Sequence, residues 1–317
     1  MAMNRVQFQP GLSMPEFLQQ FGTEAQCEAA LETARWPRGF VCPRCGGGAR
    51  TSFVRAGLRY WECADCAHQC SLISGTMFEA TKLSLTIWFL AMQLLTQAKN
   101  NVSALELRRQ IGVSYRTAWL MKHKIMESMR LREEPRELDG RVEMDDAYLG
   151  GERSGGKRGR GSENKVPIVA AVQTTPEGKP VVACLRQQPH TEQEVAVFAA
   201  SHLATSASVI TDGLWCFQAT AIIGASHERV VTGGGRASVE LPQFKAINTL
   251  LGNLKTAISG TYHAFGFAKY AHRYLAEFQY RFNRRFNMRT LLTRLLHAMA
   301  AAPASPERAL RCAEIHR

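Results

Sequence analysis

VEMDDAYLGG, Val142 to Gly151, is the stretch on which the reading of this chain turns. It begins with the apolar–polar alternation of a strand and reaches two adjacent carboxylates, Asp145 and Asp146, before a Gly-Gly stop. Charge is not placed in or beside a core without a partner, and a divalent cation is one such partner. A second strand-like run, ASVITD from Ala207 to Asp212, ends the same way on Gly213. A third polar residue, Asn248, opens the helical pattern INTLLGNLKTAI, with 35 residues between it and Asp212, room for one helix, one strand and a loop. Asp145, Asp212 and Asn248 read as a divalent-metal site for phosphoryl transfer, and the rest of the chain as machinery that brings DNA to it.

Hard oxygen donors suit Mg²⁺, or Mn²⁺ in its place, and such ions use only one or two protein carboxylates while keeping several waters. Two ions about 3.5–4 Å apart would neutralise charge on both the attacking and the leaving oxygen of a phosphodiester. Asp145 and Asp212 supply the carboxylates, and Asn248 a neutral amide oxygen. Lys255 lies seven residues beyond Asn248, so at 3.6 residues per turn the two share one helix edge, and the lysine can reach a DNA phosphate. The plainer alternative is a capping asparagine and a surface lysine. Glu143 alternates with Asp145 on one strand face and could support it from behind. Asp146 points the other way in a regular strand and ranks, with Glu143, behind Asp145.

Outward from these residues, VPIVAAVQT and PVVACLRQ flank TPEGK as a hairpin, and TEQEVAVFAASHL is a helix with a capping box from Thr191 to Glu194. LWCFQATAII reads as a short helix, ERVVTG as a strand, and residues 244–258 as a long helix. The order β-β-β-α-β-α-β-α predicts an α/β fold, a mixed sheet with flanking helices as in ribonuclease H-like domains, over residues 138–297. In that topology the first strand, the fourth strand and the last helix converge. ERSGGKRGRGSENK, after the first strand, is a basic glycine-rich loop whose Lys157, Arg158 and Arg160 suit phosphate contact; it lacks the pattern of a nucleotide-binding P-loop. From Lys255 to Arg294, eight Lys or Arg face one acid, interleaved with Tyr and Phe, and Arg281, Arg284 and Arg285 are candidates for phosphate contact. Packing remains the commoner use of such aromatics.

Toward the N-terminus, CPRC (Cys42–Cys45) and CADC (Cys63–Cys66) are separated by 17 residues, with two short strands between them. That spacing predicts a zinc ribbon at 37–75, with Cys42, Cys45, Cys63 and Cys66 around a structural Zn²⁺. Residues 1–36 read as a helical lead-in. Residues 76–132 read as a helical region in which Ser103–Met129 resembles a helix-turn-helix: one helix ends at Gly112, and Ser114 caps a second carrying Arg116, Lys122, His123 and Lys124. An ordinary helical hairpin with a solvated basic face is the alternative. The tail, 298–317, reads as disordered.

Lys plus Arg outnumber Asp plus Glu by 39 to 27, a net charge of +12, which points to a polyanionic partner although many soluble proteins are basic without one. No signal peptide is evident at the N-terminus, and the longest apolar run, LSLTIWFLAMQLL, is 13 residues, short of the ~20 that a membrane span needs. Nine cysteines in such a chain favour metal ligation over disulfides. The expected setting is therefore cytoplasmic and nucleoid-associated, without a membrane.

DDAYLGG, the TDG at Thr211–Gly213, INTLLGNLKTAISGTYHAF and RYLAEFQYRFNRR together resemble bacterial insertion-sequence transposases of family 1595, over roughly residues 15–297. The resemblance implies a ribonuclease H-like catalytic domain of the D-D-E/N type (the retroviral integrase superfamily) behind a zinc ribbon. It implies Mg²⁺-dependent cleavage at element ends, strand transfer into double-stranded target DNA, and work as a homo-oligomer. By motif, Asp145, Asp212 and Asn248 take the three metal positions and Lys255 the lysine beyond. Many members carry Asp-Glu where this chain has Asp145-Asp146. Two other readings stand beside it: a non-catalytic DNA-binding regulator, and a structure-selective nuclease that cuts without joining.

Overall fold

The computed structural model describes residues 6–55, 57–150, 165–231, 241–262 and 266–312. The chain forms two compact units, one from residues up to Ser128 with Phe286–Cys312, the other from Met129–Arg285.

The first unit begins with α1 (Met14–Phe21) and α2 (Glu24–Arg35), each opened by a capping box, Ser13 with Glu16 and Thr23 with Gln26. A three-stranded antiparallel sheet follows: β1 (Arg50–Arg55), β2 (Leu58–Cys63) and β3 (Gln69–Ser71). Its small core is aromatic. Trp61 lies edge-on to Trp36 at 5.2 Å, and Trp36 to Phe40 at 5.0 Å. Then come α3 (Leu85–Gln97), α4 (Ala104–Ile111) and α5 (Tyr115–Glu133), whose last turn belongs to the second unit. Gly112 closes α4 with φ of 69°, a left-handed conformation that side chains with a Cβ resist, and the Ser114 hydroxyl accepts the N–H of Thr117 to start α5. The chain returns late to finish this unit: α9 (Leu291–Ala301) packs on α2 and α3, and the Met77 N–H donates to the Met299 carbonyl at 3.1 Å. The described tail is not disordered. A last helical turn, α10 (Glu307–Arg311), buries Leu310 and sets Glu307 between Arg116 and Arg311.

The second unit is a mixed five-stranded sheet in the order β6-β5-β4-β7-β8. β4 (Arg141–Leu149) lies at its centre, antiparallel to β5 (Val166–Thr174) and parallel to β7 (Ser208–Thr211). β6 (Pro180–Gln187) and β8 (Ser226–Arg229) are the edges. On one face, Val142 and Met144 of β4 and Val169 and Ala171 of β5 pack with Val195, Phe198 and Ala199 of α6 (Glu192–His202) and with Phe217. Residues Trp215–Ile223, expected as an α-helix, form a 3-10 helix. The other face carries α7 (Lys245–Ser259), against β4 and β5, and α8 (Phe267–Asn283), mainly against β6. The buried stripe of α7 is Ile247, Leu250, Leu251, Leu254 and Ile258, the spacing of one helix face. No helix among the described residues is long and apolar enough to cross a membrane.

One buried charge network ties this unit together. Glu133 accepts from Arg284, Arg136 and Asn283. Burial pushes its carboxyl upward, but the guanidinium charges and hydrogen bonds more than offset that and hold it below the ordinary carboxylate range.

Candidate active site

β4 is longer than its parallel neighbour. It pairs with β5 from Arg141 to Leu149, but with β7 only from Arg141 to Met144. Beyond Met144 its β7-side edge is open, and Asp145 and Asp146 lie there, next to Asp212, the residue that follows β7. One carboxylate oxygen from each of Asp145, Asp146 and Asp212 lies within 4.8 Å of the other two. An ion with six oxygen ligands at about 2.1 Å has opposite ligands about 4.2 Å apart, so the donor set is of the right kind and span for Mg²⁺ or Mn²⁺.

Strand alternation had placed Asp146 away from Asp145. That reasoning holds in the body of a sheet and fails where the partner strand stops, because side chains from both faces can then reach round the free edge. The Asp146 N–H donates to Asp145 Oδ1 at 2.8 Å, folding that carboxylate back toward its neighbour. Asp212 is set by Gly213, whose φ of 94° turns the chain sharply and lets the Leu214 N–H donate to Asp212 Oδ1 at 3.1 Å.

Asp145 is perturbed as a buried acid among acids should be. Burial, then the charges of Asp212 and Asp146, push its pKa up to about 7, while the Asp146 N–H and the Lys255 ammonium draw it partly back. Lys255 of α7 is therefore close enough to act on the cluster. Asn248, half-buried, stands two turns before it on the same edge of α7.

Because the folded pKa of Asp145 exceeds the unfolded one, its contribution to stability is complete below about pH 4 and is lost as pH rises through about 7. Without added divalent cation, Asp145→Asn escapes that loss. The stability gap between variant and wild type should widen by roughly 2–3 kcal/mol between pH 5 and pH 8. Urea unfolding at the two pH values measures it, and a gap that stays constant would contradict the arrangement.

Two neighbours of Asp146 carry no local sequence signal. His190 Nδ1 lies 3.6 Å from Asp146 Oδ2 and 3.2 Å from the Tyr148 hydroxyl, while its Nε2 is 3.0 Å from the Ile168 carbonyl. That carbonyl can only accept, so Nε2 carries the proton and Nδ1 faces the site. His190 stands 44 positions beyond Asp146, and only the fold brings them together.

The four ribbon cysteines meet as the spacing predicts. Their sulfurs lie within 4.8 Å of one another, with Cys42–Cys66 at 3.7 Å and Cys45–Cys63 at 3.5 Å. A tetrahedron with Zn–S bonds of about 2.3 Å has edges of about 3.8 Å, so the site fits Zn²⁺.

The proposed DNA contacts fare unevenly. Arg116 is exposed, its guanidinium paired with Glu307 at 2.8 Å. Lys122 and His123 are fully buried, and Lys124 is nearly so, its ammonium donating to the carbonyls of Met77 and Glu79. A buried ammonium cannot meet a phosphate, so Lys122 and Lys124 leave the DNA-facing set, and from Met121 to Met129 α5 offers no basic side chain to solvent. Arg284 is buried against Glu133. Arg285 spends its donors on the carbonyls of Pro180, Val181 and Phe282, so neither arginine is a surface contact. Arg281 is half-buried beside the Tyr262–Glu277 pair. Lys157, Arg158 and Arg160 lie outside the described residues.

A mixed sheet with acids gathered at the ends of two adjacent parallel strands, following a four-cysteine module in the sequence, is consistent with an α/β nuclease-like domain of a transposase. The sequence profiles agree, since residues 137–283 match the ISXO2-like transposase domain and residues 22–69 the transposase zinc-ribbon domain. A protein in the transposable element ISH50 of Halobacterium salinarum is 30% identical over 237 residues, which cover 69% of this chain and 77% of that relative. The chain belongs to the insertion-sequence 1595 family of transposases.

Proposed function

We propose that the chain binds the ends of its insertion sequence, cleaves DNA there and joins the freed strand to double-stranded target DNA, on a ribonuclease H-like fold of the D-D-N type. The observation that carries this reading is the meeting of Asp145, Asp146 and Asp212 within 4.8 Å, under the charge of Lys255. The sheet order, with three antiparallel strands and then two parallel to the first, supports the fold assignment.

Asp145 and Asp212 would hold the divalent cation, Mg²⁺ or Mn²⁺, with Asn248 adding a neutral oxygen from α7. Asp146 provides the third carboxylate that an asparagine in the last position leaves out. Bound there, the cation supplies charge neutralisation on the attacking and leaving oxygens of the phosphodiester. Lys255 meets a phosphate of the bound strand. To hold a cation, Asp145 would have to lose the proton that burial and the neighbouring carboxylates favour. Arg116 and the basic stretch at Lys157, Arg158 and Arg160 contact the DNA backbone, in keeping with a net charge of +12. A structural Zn²⁺ on Cys42, Cys45, Cys63 and Cys66 folds the ribbon. Several copies of the chain acting together on paired ends form the working homo-oligomer, nucleoid-associated in the cytoplasm.

Incubation with labelled element ends, target DNA and Mg²⁺ tests the proposal, with joined product as the expected result. Cleavage without joining would favour a nuclease. Binding without either would favour a regulator, for which acids at two strand ends have no use.

A further inference from the structure

Glu143 stands outside the cluster of three aspartates, yet it is the most completely enclosed carboxylate of β4, with no exposed surface. Its Oε2 accepts the backbone N–H groups of Ala246 and Ile247, each at 2.9 Å. Those are among the first residues of α7, and they are N–H groups that no turn of the helix itself can satisfy. The N-cap residue of α7, Phe244, contributes no side-chain cap. The cap comes instead from a strand more than 100 residues earlier in the chain. The other oxygen, Oε1, accepts from Arg141 Nη1. That guanidinium also donates to Thr174 Oγ1 of β5 at 2.9 Å and, through Nη2, to the Gln243 carbonyl at 3.1 Å, just ahead of α7.

We propose that Glu143 is a positioning residue that fixes the rotation and register of α7 on β4, and so the placement of Asn248 and Lys255 over Asp145 and Asp212. Glu143 and Asp145 are two residues apart on the same strand face, and Asn248 directly follows the two amides that Glu143 holds. One strand thus carries both the metal-site acid and the anchor of the helix that completes the site. The anchor is rotationally specific, since slippage of one residue along a helix turns its faces by about 100°. An anion at a helix N-terminus is also favoured by the helix dipole. The role assigned to α7 rests on the function proposed above.

Glu143→Gln in the full chain tests this, alone and combined with Lys255→Ala. Hydrogen exchange reads the anchor without reference to catalysis. The amides of Ala246 and Ile247 should lose at least tenfold in protection, while those of Val169 and Ala171 in β5 keep theirs. At saturating Mn²⁺, strand joining should fall at least tenfold with end binding unchanged. In the Lys255→Ala background the same change should cost less than it does alone, because one of the two groups being positioned is already gone. Unchanged protection at α7 overturns the proposal, and so does full joining activity despite an exposed α7, or a loss that simply multiplies with that of Lys255→Ala. If Glu143→Gln unfolds the sheet, Arg141→Lys keeps the acid and weakens the bond to Gln243. It should give the same α7-specific exposure in milder form, and its failure to do so also overturns the proposal. A wild-type chain that joins no DNA would defeat the functional reading, and hydrogen exchange would still decide whether Glu143 anchors α7.

Discussion

Asp212→Ala should abolish strand joining, by at least about 10³-fold or some 4 kcal/mol of transition-state stabilisation, while end binding stays within about threefold. Asp212 sits just past the last residue of β7, where Gly213 turns the chain and the Leu214 N–H holds its Oδ1. Asp212 is not a member of the buried cluster that fills this face of the sheet. Removing the carboxylate leaves Asp145 and Asp146 side by side on one strand, with no donor facing them from the next. Asp212→Asn is the finer test, because its amide oxygen can keep the Leu214 bond while the charge is gone. It should lose nearly as much joining as the alanine variant. Loss of end binding together with chemistry in either variant would mean that Asp212 supports the fold or the DNA surface instead.

Stripping the cysteine site should have the largest effect on folding. The three strands β1–β3 enclose few side chains, chiefly Trp36, Phe40 and Trp61, too little apolar surface for a free-standing module. In modules of that size a bound zinc contributes about 10–16 kcal/mol of apparent folding free energy. A chelator, or Cys63→Ser, should therefore melt the three-stranded sheet. Trp61, now 2% exposed, should shift its emission to the red, while amides of the five-stranded sheet keep their exchange protection. A ribbon that stays protected after the metal is removed would show that the aromatic cluster suffices.

The parts of this molecule that were legible in the sequence are those in which a local pattern carries the physics. Paired cysteines two residues apart announce a sulfur site, and alternation ending in an acid announces a strand that delivers charge to its tip. Asp145 and Asp212 stand at the ends of two such runs, and the two strands do lie side by side in parallel. What was missed depended on relations between elements. Strand alternation alone turns Asp146 away from Asp145, because the early end of β7 is a property of the pair and not of β4. Lys122 and Lys124 look like a basic helix face, but helical spacing alone does not say which faces are covered, and α5 is enclosed from Met121 to Met126. Glu143 was placed on the correct face, yet its partners, two N–H groups of α7, leave no trace in residue types. His190 and Tyr148 fall in the same category.

The unit that holds the cysteines contains the chain's first 128 residues and also Phe286–Cys312. Its interior needs α9, since Met77 finds its acceptor on Met299. At about 5–20 residues per second on the ribosome, the aspartate-bearing unit is complete while its predecessor still waits for its last helix. The part translated first is thus the last to close. A chain cut short near residue 285 would keep its three aspartates and lose the integrity of its opposite end.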